Sequence, residues 1–269
     1  MRILITGHKG FIGQNLTSYL ETKHEVAGYD FHPENLPLVK DYDWVIHLGA
    51  ISSTTETDVD KVILHNYEFS KWLFNQCNQY DVNMQYASSA SIYGSTTHFK
   101  EDGPSDPKSP YAWSKYLFDR WVTGIHPKII FQGFRYFNVY GPNEEHKGNQ
   151  ASPITKFTKQ AKEEGKITIF TDSENYKRDF VCVSDICEIH EKMFDVNEKG
   201  VYNIGTGTAI SFKEVADLIA QKHNAEIKYT PIPDNLKNQY QKFTCANLER
   251  LSTVVKHNFK TVKEYINEY

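Results

Sequence analysis

A tyrosine and a lysine four residues apart, Tyr111 and Lys115 in "SPYAWSK", share one face of a helix. Ser89 stands 22 residues before Tyr111, at the end of the strand-like "NMQYASS". A phenol with an ordinary pKa of about 10 is a poor base at neutral pH, and a neighbouring ammonium lowers that value by stabilising the phenolate. A serine hydroxyl beside them can hydrogen-bond a substrate oxygen whose proton the tyrosine takes. The set suits interconversion of an alcohol and a ketone, in which proton and hydride leave by separate routes. A lone Tyr-x-x-x-Lys pair is ordinarily solvated, so its neighbours in the chain decide its meaning.

Those neighbours point to a dinucleotide. "ILITGHKGFIGQNL" carries Gly7, Gly10 and Gly13 between a strand and a helix. Glycines there allow a tight turn and a close approach of backbone to a pyrophosphate at the helix N-terminus. Asp30 ends "HEVAGYD", 17 residues past Gly13, where an acid binds the adenosine ribose hydroxyls and repels a 2′-phosphate. No Arg or Lys follows it until Lys40, which favours NAD over NADP. Hydride transfer to and from a nicotinamide completes the chemistry that Ser89, Tyr111 and Lys115 begin.

The elements that must position these residues are legible as alternation. "RILIT", "HEVAGYD", "DWVIHLG", "NMQYASS", "KIIFQGFRYF" and "VYNIG" read as buried strands. "IGQNLTSYLETK", "VDKVILHNYEFSKWLFNQCNQ" and "YAWSKYLFDRWVTGI" read as helices. The alternation predicts an α/β fold, a Rossmann-type doubly wound parallel sheet covered on both faces. Only 13 residues, Phe31 to Asp43, separate the second strand from "WVIHLG". That leaves no room for another strand-helix unit, and predicts a sheet lacking one edge strand. The pattern loosens after residue 137. We expect a dinucleotide domain over 1–137, with 179–205 returning to it, and a smaller substrate domain from 138–178 and 206–269. "ASPITKFTKQAKEEGK", "ISFKEVADLIAQKH" and "TVKEYINEY" read as helices of the latter.

Composition bounds the remaining classes. The 269 residues are 39% hydrophobic and 14% aromatic, enough for a packed core, and the formal charge of −4 gives no electrostatic case for nucleic acid. No apolar run approaches the length of a membrane helix. The four cysteines, Cys77, Cys182, Cys187 and Cys245, lack metal-ligand spacing. Cys182 and Cys187 read as buried thiols. With Met1 leading straight into "RILITG", the expectation is a reduced cytoplasmic protein without a signal peptide.

Several longer stretches carry a resemblance: "HLGAISSTTETD", "YASSASIYG", "YAWSKYLFD", "GFRYFNVYGPNEEHKG", "SENYKRDFV", "NIGTG" and "IPDNLKNQYQKFT". The chain resembles the extended short-chain dehydrogenase/reductase superfamily, and within it the ADP-L-glycero-D-manno-heptose 6-epimerase family of lipopolysaccharide inner-core synthesis. That family inverts C6 of the heptose through a transient ketone, with hydride return to the opposite face. Once the ketone turns over in the site, its oxygen needs a second acid/base. The resemblance assigns the first role to Tyr111 and the second to Lys147 of "NEEHKG". Lys147 then needs a pKa lowered by burial or a nearby cation, where a solvated loop lysine is the ordinary alternative.

The resemblance further implies dinucleotide contacts at Phe11, Ile12, Asp30, Phe31, Leu48, Gly49, Ala50, Ser52, Lys115 and Val139. It implies sugar-nucleotide contacts at Asn138, Asn149, Phe170, Ser173, Arg178 and Tyr240, NAD or NADP as cofactor, no metal, and a homo-oligomer. Arg178 has its own physical case, since a guanidinium forks onto diphosphate oxygens. A surface salt bridge to Asp179 or Glu174 is its plainer alternative. Tyr240 as a packing residue, and Ser53, Thr54 and Thr55 as caps of the next helix, are the plainer readings there. The chain departs from the family at His65, where an asparagine is usual and Asn66 is adjacent, and at Leu48, Asn149 and Lys156.

Three other activities share this frame. A 4,6-dehydratase carries an acid pair directly after its catalytic Ser/Thr, where this chain has Ala90 and Ser91. A 4-epimerase works with Tyr and Ser and does not require Lys147. A one-way ketone reductase consumes reduced cofactor, whereas an epimerase shows no net cofactor turnover. A non-catalytic dinucleotide-binding protein does not need Ser89, Tyr111 and Lys115 together.

Overall fold

The computed structural model describes residues 1–32, 34–53, 55–233 and 241–269, without the side chain of Asn149. In chain order the elements are β1 (Arg2–Thr6), α1 (Phe11–Leu20), β2 (Glu25–Tyr29), β3 (Trp44–His47) and α2 (Val59–Ile63). A π turn (Leu64–Glu68) joins α2 to α3 (Phe69–Gln79), followed by β4 (Asn83–Ser89), α4 (Pro110–Thr123), β5 (Phe131–Tyr136) and β6 (Asn138–Tyr140). Then come α5 (Pro153–Glu164), β7 (Lys166–Phe170), β8 (Lys177–Cys182), α6 (Val183–Met193) and β9 (Gly200–Ile204). The chain closes with β10 (Ala209–Ser211), α7 (Phe212–His223), β11 (Glu226–Thr230), α8 (Glu249–Val254) and α9 (Val262–Glu268).

Six parallel strands in the order β2-β1-β3-β4-β5-β9 form the main sheet. Its central strands are continuous apolar runs because both faces are covered. On β1, Leu4 packs with α3 and α4 residues such as Leu73, Phe74 and Phe118, while Ile3 and Ile5 pack with Leu16 and Leu20 of α1. Among the described residues, no strand lies between β2 and β3, and β2 pairs only with β1. The short connection is tied down instead by Val39, 2% exposed, in the cluster with Leu4 and Val45. Cys182 and Cys187 are buried free thiols.

The chain leaves this sheet after β5. Strands β6, β8 and β10 make a three-stranded sheet, parallel at β6-β8 and antiparallel at β8-β10, and β7 and β11 pair in parallel. Their core joins Ile154, Ile167, Ile169, Phe180, Ile219 and Ile266. Local chemistry sets the helix ends. Ser109, Ser152 and Ser211 accept backbone N–H groups at the starts of α4, α5 and α7, with Pro110 and Pro153 in the first turns. The cap of α2 is Asp58, which accepts from Lys61 N at 3.0 Å. Ser53 and Thr55 pair with each other at 3.0 Å rather than cap it, and Thr54 lies outside the described residues. No described helix is long and apolar enough to cross a membrane.

Two histidines are built into the main-sheet core. His47 is held between Thr6 Oγ1 at 2.6 Å and Ser70 Oγ at 2.8 Å. His190 is held between the Tyr136 hydroxyl at 2.6 Å and Gln85 Oε1 at 2.6 Å. Burial pushes both imidazoles down to about 3, with the Lys115 charge adding to the effect on His47. Both stay neutral where the unfolded chain takes up a proton, so stability falls as pH drops from about 6.5 toward 3. The two sites together are expected to remove about 2 kcal/mol between pH 7 and 5.5. Urea denaturation at the two pH values checks this, and a stability independent of pH across that window contradicts it.

Candidate active site

The glycine loop fits a dinucleotide pyrophosphate by its close packing. Gly7 has φ +73°, and a Cβ there would sit 2.6 Å from Gly49 N. A Cβ on Gly13 would sit 2.1 Å from Gly7 O, so the loop folds directly onto the first turn of α1. No side chain caps that helix, whose N-terminal amides are left for an anion. In front of the loop lies a cleft of about 500 Å³. It is lined by Gly7, Gly10, Phe11, Ile12, Gly13, Asp30, Phe31, Leu48, Gly49, Ala50 and Ser52 of the expected dinucleotide set. Ile51, His65, Phe69 and Ala87 complete it, together with His146 and Lys147. Phe31 turns edge-on to His65, with centroids 4.6 Å apart, and packs on Phe69.

Two residues of that set do not line the cleft. Val139, on β6, packs against the apolar cluster of Phe134, Tyr136 and Val181. Lys115 is 5% exposed and donates from Nζ to the carbonyl of Ala87, a cleft-wall residue, at 2.8 Å. Burial pushes its ammonium down to about 8, against an opposing pull from Asp119.

Tyr111 is the second residue of α4, after Pro110, and Ser89 closes β4, so strand end and helix start bring the two together. Ser89 also accepts from Ser91 N at 3.1 Å, which fixes its side chain. The Tyr111 phenol is raised by burial, with its hydrogen bond to Ser89 opposing that rise. Sequence alone predicted a phenol lowered by Lys115. In the fold, burial outweighs the favourable contacts and the ammonium is engaged by Ala87 O.

Around this pair lies a network with no obvious sequence signal. Asp119 follows Lys115 by one more helical turn and is 1% exposed. It accepts from Tyr86 Oη at 3.0 Å, Ser88 Oγ at 2.8 Å and Arg135 Nε at 2.9 Å. Arg135 Nη1 in turn donates to the Tyr93 hydroxyl at 2.9 Å and to the Glu101 carbonyl at 3.1 Å. The spacing Tyr111, Lys115, Asp119 at i, i+4, i+8 was the available clue.

Lys147 faces the cleft. Its side chain is 27% exposed, and its Nζ stands 5.2 Å from the centre of the Phe11 ring and 3.8 Å from Glu144 Oε1. Glu144 is fully buried and accepts Ser152 N at 2.6 Å, Ser152 Oγ at 2.7 Å and Thr155 Oγ1 at 2.6 Å. The loop "NEEHKG" is thus anchored to the start of α5 through a buried carboxylate that the sequence reading did not single out.

Asp30 has partners that the sequence reading also missed. Lys9 Nζ lies 3.2 Å from its Oδ2, and His8 Nδ1 lies 3.6 Å from its Oδ1. Both bases precede the acid in the chain, inside the glycine loop, rather than following it.

The expected sugar-nucleotide residues are dispersed. Phe170 and Ser173 line a smaller cavity of about 230 Å³ with Lys156, Phe157, Tyr176 and Phe212. Ser173 Oγ is buried there without a hydrogen-bond partner among the described residues. Arg178 is 9% exposed on β8; it donates to the Lys177 carbonyl at 2.9 Å and stacks over Phe212. The adjacent Asp179 carboxylate is occupied by the amides of Thr206, Gly207 and Ala246. Asn138 is exposed on β6. Tyr240 and most of "IPDNLKNQYQKFT" lie outside the described residues, as does the Asn149 side chain. Among the described residues, no group of His, Cys, Asp and Glu could hold a metal ion.

Comparison with known proteins points to one family. The model of the NAD dependent epimerase/dehydratase family matches residues 3–205. The structure of Helicobacter pylori ADP-L-glycero-D-manno-heptose-6-epimerase is similar with a TM-score of 0.88 at 26% identity, over 100% of this chain and 94% of that one. The UDP-glucose 4-epimerase of Thermus thermophilus, in complex with NAD, gives 0.80 at 25% identity over 99% and 98%. The UDP-N-acetylglucosamine 4-epimerase of Methanobrevibacter ruminantium shares the fold, with a TM-score of 0.89 at 22% identity over 99% and 97%. A family match over most of the sequence and a parallel sheet opening on a glycine-loop cleft lead to one conclusion: the chain belongs to the NAD-dependent epimerase/dehydratase family.

Proposed function

We propose that the protein is a nucleotide-sugar epimerase that inverts C6 of an ADP-heptose by a two-base route through a transient ketone. The observation that carries this reading is Lys147, which lines the glycine-loop cleft rather than the solvent face of its loop. The similarity to the Helicobacter pylori enzyme supports the substrate. When bound, NAD or NADP supplies the hydride acceptor and donor. Ser89 hydrogen-bonds the sugar hydroxyl, and Tyr111 removes its proton and returns it. Lys115, held at about 8, is an ammonium at neutral pH and supplies the positive charge that a phenolate needs nearby. Lys147 serves the ketone oxygen once the sugar has turned over. Phe170 and Ser173 receive the nucleotide, Arg178 its diphosphate, and Asn138, Asn149 and Tyr240 the remainder of the sugar nucleotide. In this reading 138–178 and 206–269 form the substrate domain. A cytoplasmic homo-oligomer is the accompanying proposal.

A 4-epimerase acting on another nucleotide sugar is the second reading, favoured by the similarity to the Thermus thermophilus UDP-glucose 4-epimerase. Incubation with ADP-D-glycero-D-manno-heptose, followed by NMR of the C6 configuration, separates the two. Inversion at C6 is expected, and its absence alongside turnover of a UDP-sugar sinks the heptose assignment. Lys147→Met is expected to reduce C6 inversion by about 10²-fold or more, the usual scale of a lost acid/base. Full activity in that variant would remove Lys147 from the mechanism.

A further inference from the structure

We infer that Glu144 is a positioning residue for Lys147, its buried carboxylate holding the ammonium on the wall of the glycine-loop cleft. The inference rests on the reading of Lys147 as the second acid/base. A fully buried carboxylate such as Glu144 is costly to keep charged unless the fold supplies donors. Here the donors are the Ser152 amide at 2.6 Å, the Ser152 hydroxyl at 2.7 Å and the Thr155 hydroxyl at 2.6 Å, at the N-terminal end of α5. Anchoring the loop needs only a hydrogen-bonding group of this shape. A charge adds a pull on a cation, and Lys147 is the cation that Glu144 faces within its own turn.

The amide of Lys147 donates to the Glu144 carbonyl at 3.0 Å, which fixes where the side chain starts. Its Nζ then stands 3.8 Å from Glu144 Oε1, an ion pair too long for a hydrogen bond. The Phe11 ring, 5.2 Å away, favours the cation as well. Glu144 thus draws the ammonium in and leaves its N–H groups for an oxygen in the cleft. A second cation shares the carboxylate. Burial pushes the Lys156 ammonium down, with Glu144 opposing that fall and Lys147 adding to it. Lys156 lines the cavity of about 230 Å³ and Lys147 the dinucleotide cleft, so one carboxylate stands between lysines of two cavities. Glu145 of the same loop and Tyr265 of α9 complete the titratable groups around it among the described residues. The Tyr265 phenol is raised by burial first, then by Cys182 and Tyr269, and also by Glu144 and Glu145.

Glu144→Gln keeps the shape and removes the charge. Competitive acetylation of the whole chain across pH, read at Lys147 by mass spectrometry, tests the pairing without turnover. Lys147 is expected to become half-reactive about one pH unit lower in this variant, since an ammonium that loses its anion gives up its proton sooner. Glu144→Asp withdraws the charge by one methylene; it is expected to give a smaller shift the same way, and serves if the Gln variant does not fold. C6 inversion is expected to slow about tenfold in Glu144→Gln with KM within about twofold, and the same change added to Lys147→Met to cost less than about twofold more. An unshifted Lys147 profile in the folded variants, or an equal loss of rate with and without Lys147, overturns the assignment. A shifted profile in a chain that does not invert C6 keeps the positioning role and overturns the epimerase reading instead.

Discussion

Tyr111→Phe is expected to lower the rate of C6 inversion by about 10³-fold while leaving nucleotide-sugar affinity within a few-fold. The substitution keeps the ring in the first turn of α4 and deletes only the oxygen that Ser89 bonds. Burial holds the phenol in its protonated form, which suits donation of a proton to a ketone. Removal of a proton from an alcohol needs positive charge near the ring, and Lys115 is the cation of the same helix, fixed by the Ala87 carbonyl. The two half-reactions therefore ask opposite things of one hydroxyl, and losing it blocks both. NMR of C6 configuration gives the rate, and titration with substrate gives the affinity. A variant within tenfold of the unaltered rate would mean that another group moves this proton.

Asp119→Ala is expected to cost about 3–5 kcal/mol of stability, because it strands a buried guanidinium. Arg135 and Asp119 have side chains only 4% and 2% exposed, and their contact is 2.9 Å. Tyr86 and Ser88 would lose the same acceptor. Urea denaturation reads the loss, and a change under about 1 kcal/mol would show that water repays the bond. The same position should act on Lys115. Asp119 holds that ammonium's pKa up against burial, so its removal lowers the value further below about 8. In Asp119→Asn, chosen to preserve packing, the high-pH limb of activity should shift to lower pH.

Much of the main sheet was legible because both of its faces are covered. Buried parallel strands leave continuous apolar runs such as "WVIH", and caps such as Ser109 with Pro110 mark where helices begin. The missing edge strand followed from chain length alone. The strands β6, β7, β8, β10 and β11 were not read, since β6 and β10 have only three residues each and β7, β8 and β11 are mixed in polarity. In the site, the glycine loop and the Ser89, Tyr111, Lys115 group were visible through local spacing. Glu144, Asp119, His8 and Lys9 were not, because each owes its role to partners distant in sequence or to burial. A charge letter in a sequence reads as solvated until the fold encloses it. Tyr111 shows the same limit in another form, since the sign of its net shift was set by desolvation.

The π turn at Leu64–Glu68 places the halves of one long helix out of phase. Each residue of an α-helix advances about 100° around the axis, and the added residue sets α2 and α3 in different rotational frames. Asn66 thereby points inward, where it bonds both backbone groups of Ile51 and the Ser114 hydroxyl. His65 is left to meet Phe31 on the cleft wall. The buried polar position of this turn is thus held by Asn66, one step after the histidine on the cleft wall.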